Sequence, residues 1–345
     1  MRGRYLAIVL VAMVALSGCA ALDDGGSGDD TGETDAADAE FSQDVQFSWA
    51  GITGEEVAVE VTVENTGSEE GTHEAKLQAD GETVTSESVT VAQDATETVT
   101  LTHAFDETGE YDLSVGDDQQ TLTVYESPTD LFLEADFDQG TRVSEELTNG
   151  SGVFVQDGSE YDVTIEESAT IRTNYEEETK YTVTEGTTEV LGQTNEETTE
   201  EWIVDGTRYA KIEDQDDGTV EYERGPSDEF ENDSEFSDEV ARQYLTVEQT
   251  DGEYVFTIDP QTSGEATEFW AATSDEEDIS AESITGLTIE YRVDSELYRP
   301  ASTSLDLQLE NFEQFSTLDM TITEEITSYG EPVEVEVPEE VRENA

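Results

Sequence analysis

The sequence predicts a mainly β protein, in which an N-terminal β-sandwich is followed by a larger, curved antiparallel sheet with a few short helices. Apolar and polar residues alternate with period two along most of the chain, as they do in half-buried strands. Beyond about residue 126 the alternating runs lengthen and aromatic residues become more frequent. Because 345 residues exceed one typical domain, we expect two folded units.

Residues 1–18 have the pattern of a secretory signal peptide. Arg2 and Arg4 precede an apolar run from Leu6 to Leu16, and small residues follow. A helix of about 11 residues reaches roughly 16 Å, which is short of the ~30 Å hydrocarbon core of a membrane. The segment is therefore predicted to direct export rather than to remain as a transmembrane helix.

The stretch Leu16-Ser17-Gly18-Cys19 resembles the lipobox of bacterial and archaeal lipoproteins, whose cysteine carries lipid and becomes the mature N-terminus. The resemblance implies that Cys19 is a lipid attachment site and that the protein is anchored at the extracellular face of the cell membrane. The alternative is a secreted protein in which Cys19 is removed or idle. Cys19 is the only cysteine, so no intramolecular disulfide can form. Residues 19–42, rich in Asp, Gly, Ser and Thr, are predicted to be a flexible acidic tether.

Residues 43–126 are predicted to form a sandwich of about seven short antiparallel strands. The clearest strand has alternating valines from Val57 to Val63 and is closed by Asn65-Thr66-Gly67. The stretches Val61–Gly67 and Gly109–Val115 resemble CARDB and related fibronectin-like modules of prokaryotic surface proteins. The resemblance implies an Ig/fibronectin-like spacer or adhesive unit and no chemistry.

Residues 130–341 alternate in longer runs, such as Leu287 to Val293 and Leu305 to Leu309. Thr, Glu and Asp fill the intervening positions, which predicts a large antiparallel sheet with one wet face and one dry face. The apolar face of such a sheet must be buried against other secondary-structure elements. Helices are predicted from Asp238, after Ser237, and from Ser263, and a third candidate runs from about Thr129 to Leu147.

Three segments of this unit resemble the LolA, LppX and LprG group of lipoprotein carriers and lipid-binding lipoproteins. They are Trp202–Tyr209, the predicted helix around Trp270, and the closing Val333–Pro338. In that group a half-barrel sheet and its helices enclose acyl chains. The resemblance implies a LolA-like half-barrel and a cavity for a lipid or another apolar ligand. Its lining would include Trp202, Tyr244, Phe269 and Trp270, and the alternative is that these aromatic residues are ordinary core.

The formal net charge is −75, with 88 acidic and 13 basic residues. The acids are interleaved with apolar residues, so a core is still encoded beneath an acidic surface. In molar salt the Debye length falls to about 3 Å, which screens repulsion between surface carboxylates. We therefore expect a protein of an extreme halophile. The same charge argues against nucleic acid as a partner, and against direct adhesion to anionic lipid headgroups.

The sequence gives little support for an enzyme, a metal or a cofactor. His73 and His103 are the only histidines and both fall in the sandwich, so no His-based triad or zinc cluster is expected in the larger unit. An acidic stretch from Asp214 to Glu221 is better interpreted as a solvated hairpin tip than as a calcium site. Asn149 and Asn232 fit the N-glycosylation pattern, each in a segment expected to be a surface turn.

Two functional hypotheses follow. The first is a haloarchaeal surface lipoprotein without catalytic activity, whose second domain binds a lipid or another apolar ligand. The second is a structural or adhesive envelope protein whose second domain has a solid core. An enclosed apolar cavity would favour the first hypothesis, and a filled interior would favour the second.

Overall fold

The computed structural model describes residues 39–345, except positions 136, 157, 217, 228, 231–237, 251, 274–279 and 313. The first part is a sandwich of two sheets, with strand orders β1-β3-β6 and β2-β8-β7-β4-β5. Its strands are β1 (Phe41–Phe47), β2 (Ala50–Ile52), β3 (Glu56–Asn65), β4 (Gly71–Ala79), β5 (Glu82–Val91), β6 (Thr96–Ala104), β7 (Gly109–Val115) and β8 (Asp118–Tyr125). All pairs are antiparallel except β2 with β8.

The valine run forms β3 as predicted, and its four valines are fully buried between the two sheets. Asn65 ends this strand because its side-chain Nδ2 donates hydrogen bonds to the carbonyls of Glu69 and Val91, at 2.8 and 2.9 Å. The Asp80-Gly81 turn joins β4 to β5 with both residues at positive φ, a conformation that favours a two-residue hairpin.

The second part is an antiparallel sheet of eleven strands that curls into a half-barrel. Its order is β14-β13-β12-β11-β10-β9-β19-β18-β17-β16-β15. The strands are β9 (Thr141–Gln156), β10 (Ser159–Asn174), β11 (Thr179–Val190), β12 (Gln193–Val204), β13 (Thr207–Asp214), β14 (Val220–Pro226), β15 (Leu245–Thr250), β16 (Glu253–Ile258), β17 (Ile284–Asp294), β18 (Pro300–Phe312) and β19 (Phe315–Tyr329).

The described residues contain four short α-helices: α1 (Pro128–Glu134), α2 (Asp238–Tyr244), α3 (Ser263–Thr273) and α4 (Glu339–Asn344). The predicted helices from Asp238 and Ser263 are confirmed as α2 and α3. The candidate from Thr129 to Leu147 is wrong beyond Glu134, because Thr141–Leu147 belongs to β9. That strand pairs on both sides, with β10 and β19, and this pairing outweighs local helix preference. No helix among the described residues is long and apolar enough to cross a membrane.

Strand registers show which side chains share a face of the large sheet. We call the side that carries α2 and α3 the helix face. Leu287, Leu305 and Ile322 lie on it, in a core with Ala266 and Phe269 of α3. On strands β9 to β12 the helix face carries mostly polar side chains. The prediction of one continuous dry face therefore holds only for the half of the sheet around β16–β19.

The sandwich and the sheet share one hydrophobic core. Buried residues of the sandwich, such as Ile52 and Val57, belong to the same cluster as Tyr254, Phe256 and Val293 of the large sheet. Helix α1 fills the remaining space, since Phe132 stacks on Phe256 with ring centroids 4.8 Å apart. The two domains are therefore packed into one body.

Candidate functional site

Three of the four aromatic residues predicted to line a ligand cavity lie together. Tyr244 of α2 and Phe269 and Trp270 of α3 pack against the helix face of the sheet. The rings of Tyr244 and Phe269 meet edge to face at 6.1 Å, and Phe269 is 1% exposed. These side chains fill the space between helices and sheet, as core residues do.

Trp202 is not a neighbour of those three residues, which corrects the expectation of one shared cavity. It lies on the opposite face of the sheet, in a cluster with Val337 and Val341. The segment that closes the chain, residues 331–345, covers Trp202 there. Alternation in the sequence shows that every second residue of a strand lies on the same face of the sheet. It does not show whether that face is the one occupied by the apolar residues of a distant strand.

A group of buried and half-buried polar side chains occupies the helix face of β9, β10 and β11, and we call it the polar floor. It consists of Arg142, Ser144, Glu146, Glu167 and Lys180, which the registers place on one face. Ser144 is fully buried, and its hydroxyl has no hydrogen-bond partner among the described residues. Lys180 is 9% exposed, and its Nζ lies 2.5 Å from Glu229 Oε1.

The carboxyl groups of the polar floor are poorly solvated. Burial and, to a smaller extent, the facing Glu324 raise the pKa of Glu146 to about 7. Burial and the nearby Glu197 likewise raise the pKa of Glu167. At neutral pH the floor therefore holds a carboxyl group that is partly protonated. Arg142, four residues earlier on β9, lies 3.7 and 3.9 Å from carboxylate oxygens of Asp138 and Glu324.

The β17–β18 turn inserts into the sandwich and forms the centre of the domain junction. The carboxylate of Asp294 accepts hydrogen bonds from the backbone amides of Glu296 and Leu297, at 3.0 and 2.7 Å, which fixes the turn. The carbonyl of Leu297 then accepts from Trp49 N at 2.9 Å, and that of Glu296 lies 2.9 Å from Ser48 Oγ.

Two tyrosines of this junction donate to one carboxylate. Tyr298, fully buried at a positive φ of 52°, and Tyr254 both donate hydrogen bonds to Glu55 Oε2. Burial and the proximity of Glu55 raise the pKa of both phenols, so they stay protonated as donors. A residue other than glycine keeps a left-handed backbone conformation only where the surrounding structure holds it there, as these contacts hold Tyr298.

Arg299 completes the junction. Its guanidinium lies 5.7 Å from the ring centre of Trp49 and 5.6 Å from that of Tyr329, between a sandwich residue and a sheet residue. It also donates to Phe47 O at 3.2 Å and Gln46 Oε1 at 3.0 Å. These contacts bind the end of the sandwich to the start of β18.

The histidines and the acidic stretch singled out in the sequence lie in separate parts of the described structure. His73 and His103 lie on sandwich strands beside Phe41 and Phe105. In the part of the chain that the structure describes, no three His, Cys, Asp or Glu residues are grouped to hold a metal ion. The acidic stretch at Asp214 is the turn between β13 and β14, where Asp216 N donates to Asp214 Oδ1 at 2.8 Å.

Two predicted modification sites fall outside the described residues, and a third is placed differently from expectation. Cys19 and Asn232 belong to segments that the structure does not describe. Asn149 is exposed, but it lies within β9 rather than in a turn. The glycine of this pattern, Gly150, lies inside the sheet rather than in a turn, and a Cβ there would lie 3.3 Å from Ile165 Cβ of the neighbouring strand.

The architecture defines a two-domain β protein in which a surface-type sandwich is joined to a half-barrel. The CARDB family model matches residues 43–130, which supports the fibronectin-like sandwich. A second model, described as a family of unknown function (DUF6612), matches residues 155–345. Since that match covers more than half of the chain, the protein belongs to this family. No curated protein matches the chain.

Sequence reasoning missed the polar floor and the domain junction. The floor was hidden because Glu146 and Glu167 look like two of the 88 acids of an acidic surface. One signal for the junction was available, since the stretch 290–299 joins strands β17 and β18 and contains two tyrosines and two arginines. In a chain with only 13 basic residues, arginines beside tyrosines indicate a structural role.

Proposed function

We propose that this protein is a membrane-anchored, non-catalytic surface protein whose sandwich holds the half-barrel rigidly away from the membrane. The observation that carries the proposal is the shared core of the two domains, reinforced by Arg299 and by the pair of tyrosines on Glu55. A spacer that only linked two units would not need to bury aromatic side chains of both. The CARDB match supports a surface or adhesive role for the sandwich.

The anchor in this proposal is a lipid on Cys19, at the extracellular face of the cell membrane. β1 supports this arrangement, because its first residue lies at the end of the sandwich opposite the half-barrel. Phe41 pairs with Asn65 there, whereas Phe47, at the other end of β1, contacts Arg299. A chain arriving from the membrane would therefore enter at the end farthest from the half-barrel.

A second candidate function is binding of an apolar ligand under α2 and α3. One observation favours it: the indole Nε1 of Trp270 is buried without a hydrogen-bond partner among the described residues. A buried donor without a partner costs free energy, and the ester oxygen of a lipid would accept this hydrogen bond while its acyl chains fill apolar space. The packed ring contacts of Tyr244 and Phe269 favour the solid core instead.

The anchor is tested by Cys19→Ser. We expect the wild type in the membrane fraction and the variant in the medium, since one thiol carries the lipid. Ser17→Ala, which keeps the cysteine and a small residue before it, is the matched control and should stay on membranes. A Cys19→Ser protein that remains in the membrane fraction would contradict the anchor.

The choice between the two functions is tested on the released Cys19→Ser protein, purified in molar salt and extracted for mass spectrometry. No stoichiometric lipid is expected if the half-barrel has a solid core. A bound lipid that is lost on Trp270→Phe would instead establish the apolar-ligand function.

A further inference from the structure

Residues 331–345, which we call the strap, lie on the face of the large sheet opposite α2 and α3. From Val333 to Val337 the valines of the strap alternate with glutamates. Val333 and Val337 are 6% and 3% exposed, whereas the glutamates between them are exposed. The valines therefore face the protein and the carboxylates face water, as in an edge strand, although this segment belongs to no strand.

Beneath the strap lies a row of aromatic side chains on neighbouring strands. Tyr181 of β11, Trp202 of β12 and Tyr209 of β13 are direct cross-strand partners, so their side chains share this face. We call these three residues the aromatic row. The rings of Tyr181 and Trp202 are 5.5 Å apart, and Val337 and Val341 of the strap pack on Trp202, which is 4% exposed. The strap therefore covers an aromatic surface that would otherwise meet water.

The aromatic row ends in an arginine on each side. Arg172 of β10 pairs with Tyr181, and Arg224 of β14 pairs with Tyr209, with its guanidinium 5.2 Å from the ring centre. The whole chain has only 13 basic residues, so two arginines in one row form an unusual surface for this molecule. Removal of the strap would uncover it.

Side-chain contacts, rather than a backbone ladder, attach the strap to the sheet. In the described structure no backbone amide or carbonyl of residues 332–337 is hydrogen-bonded to a strand. Polar contacts lie on either side of this stretch: Thr141 Oγ1 donates to Glu331 O at 2.7 Å, and Tyr222 Oη donates to Glu340 Oε1 at 2.5 Å. The strap can therefore leave the sheet without breaking a strand pairing, which gives it a low local stability.

We propose that the strap is a lid that opens while the sandwich and the half-barrel stay folded, and that its opening uncovers the aromatic row and its two arginines. Gly330 is the hinge, because it has a φ of +74° and open space where a Cβ would lie. Helix α4 does not hold the lid by itself. It has six residues and its N-cap, Pro338, makes no side-chain cap hydrogen bond, and so short a helix is marginal in water.

The test uses the exported chain carrying Cys19→Ser, which has no other cysteine, at constant molar potassium chloride. Val337→Cys places one thiol beneath the strap. Val163→Cys is the matched control, since it places one thiol in β10, a strand that is paired on both sides. The two valines are 3% and 4% exposed, so the closed structure protects both thiols alike. Their reaction with an aromatic disulfide reagent is followed at urea concentrations below the unfolding transition.

We expect the thiol of Val337→Cys to react about tenfold or more faster than that of Val163→Cys. Its rate should vary little with urea, because opening of the strap exposes little surface. The rate of Val163→Cys should rise with urea, because that thiol is exposed only when the sheet unfolds. Equal rates with equal urea dependence would overturn the proposal, since the strap would then leave only with global unfolding.

A second pair of variants tests the lid without a thiol. Val337→Asp places a charge in the contact with Trp202, so we expect it to release the strap and raise acrylamide quenching of Trp202, whose signal is identified by Trp202→Phe. The main thermal transition should stay close to that of the parent, whereas Val163→Asp should lower it strongly. If Val337→Asp lowers the transition as much as Val163→Asp does, or leaves Trp202 protected, the strap is a fixed part of the core.

Discussion

At the scale of the residue, the polar floor makes stability depend on pH. Glu146 has a folded-state pKa of about 7 against a usual value of 4.5, so the folded protein holds this proton more tightly than the unfolded chain. Its contribution to stability is fully present below about pH 4.5 and is lost as the pH rises through 7. The loss is on the order of 3 kcal/mol.

Glu146→Gln keeps the shape of the side chain and cannot ionise. We therefore expect the free energy of unfolding of this variant to exceed that of the wild type at pH 8, and the difference to shrink toward pH 5. Urea unfolding at constant molar salt measures this. Glu145→Gln is the control, because Glu145 is the exposed neighbour on the other face of β9. Matching pH profiles for Glu146→Gln and the wild type would show that Glu146 is not the linked group.

The burial of individual residues could be predicted from the sequence at some positions and not at others. Alternation identified the buried positions of β3 and β17, because the period of a strand is visible in the residues themselves. It could not tell that Glu146 is half-buried while Glu145 is exposed. Both are acids at adjacent positions, and only the pairing of β9 with β10 and β19 decides their environments.

At the scale of the element, the β17–β18 hairpin holds the two domains together. Arg299→Ala removes the contacts with the rings of Trp49 and Tyr329 and two hydrogen bonds, a loss on the order of 3 kcal/mol. We expect the variant to unfold in two steps, sandwich and sheet separately, in place of one. Thermal unfolding followed by circular dichroism and by tryptophan fluorescence would resolve the steps.

Arg292→Ala is the matched control on the same hairpin. Arg292 is 39% exposed and pairs with Glu290 and Glu253 at 2.8 and 3.1 Å, so its removal should cost less than about 1 kcal/mol. If both variants lose the same stability, the junction does not depend on Arg299. The sequence predicted the hairpin strands but not this role, because the partner residues lie some 250 positions earlier.

At the scale of the whole molecule, the predicted sandwich and half-barrel sheet are both present, and the structure adds how the two pack together. The lengths of the alternating runs separated a sandwich from a longer-stranded sheet, but no local pattern encodes a core shared between distant segments. The burial of Trp202 beneath residues 331–345 likewise depends on contacts between segments that are distant in the sequence. Contacts at long sequence separation decide both, and one sequence does not reveal them.

The net charge of −75 also acts on the whole molecule. At about 10 mM salt the Debye length is ~30 Å, so carboxylates across an entire domain repel one another, whereas in molar salt only near neighbours do. The polar floor adds to the repulsion, because Glu146, Glu167 and Glu324 share one face of the sheet.

We therefore expect the far-ultraviolet sheet signal to persist in molar potassium chloride and to disappear on dilution to about 10 mM, as a halophilic protein should behave. Sucrose at matched osmolality is the control, since it favours compact states without screening charge. If sucrose preserves the fold as well as salt does, screening is not the cause. If the protein stays folded in dilute buffer alone, the shared core of the two domains outweighs the repulsion, and the inferred halophilic origin fails.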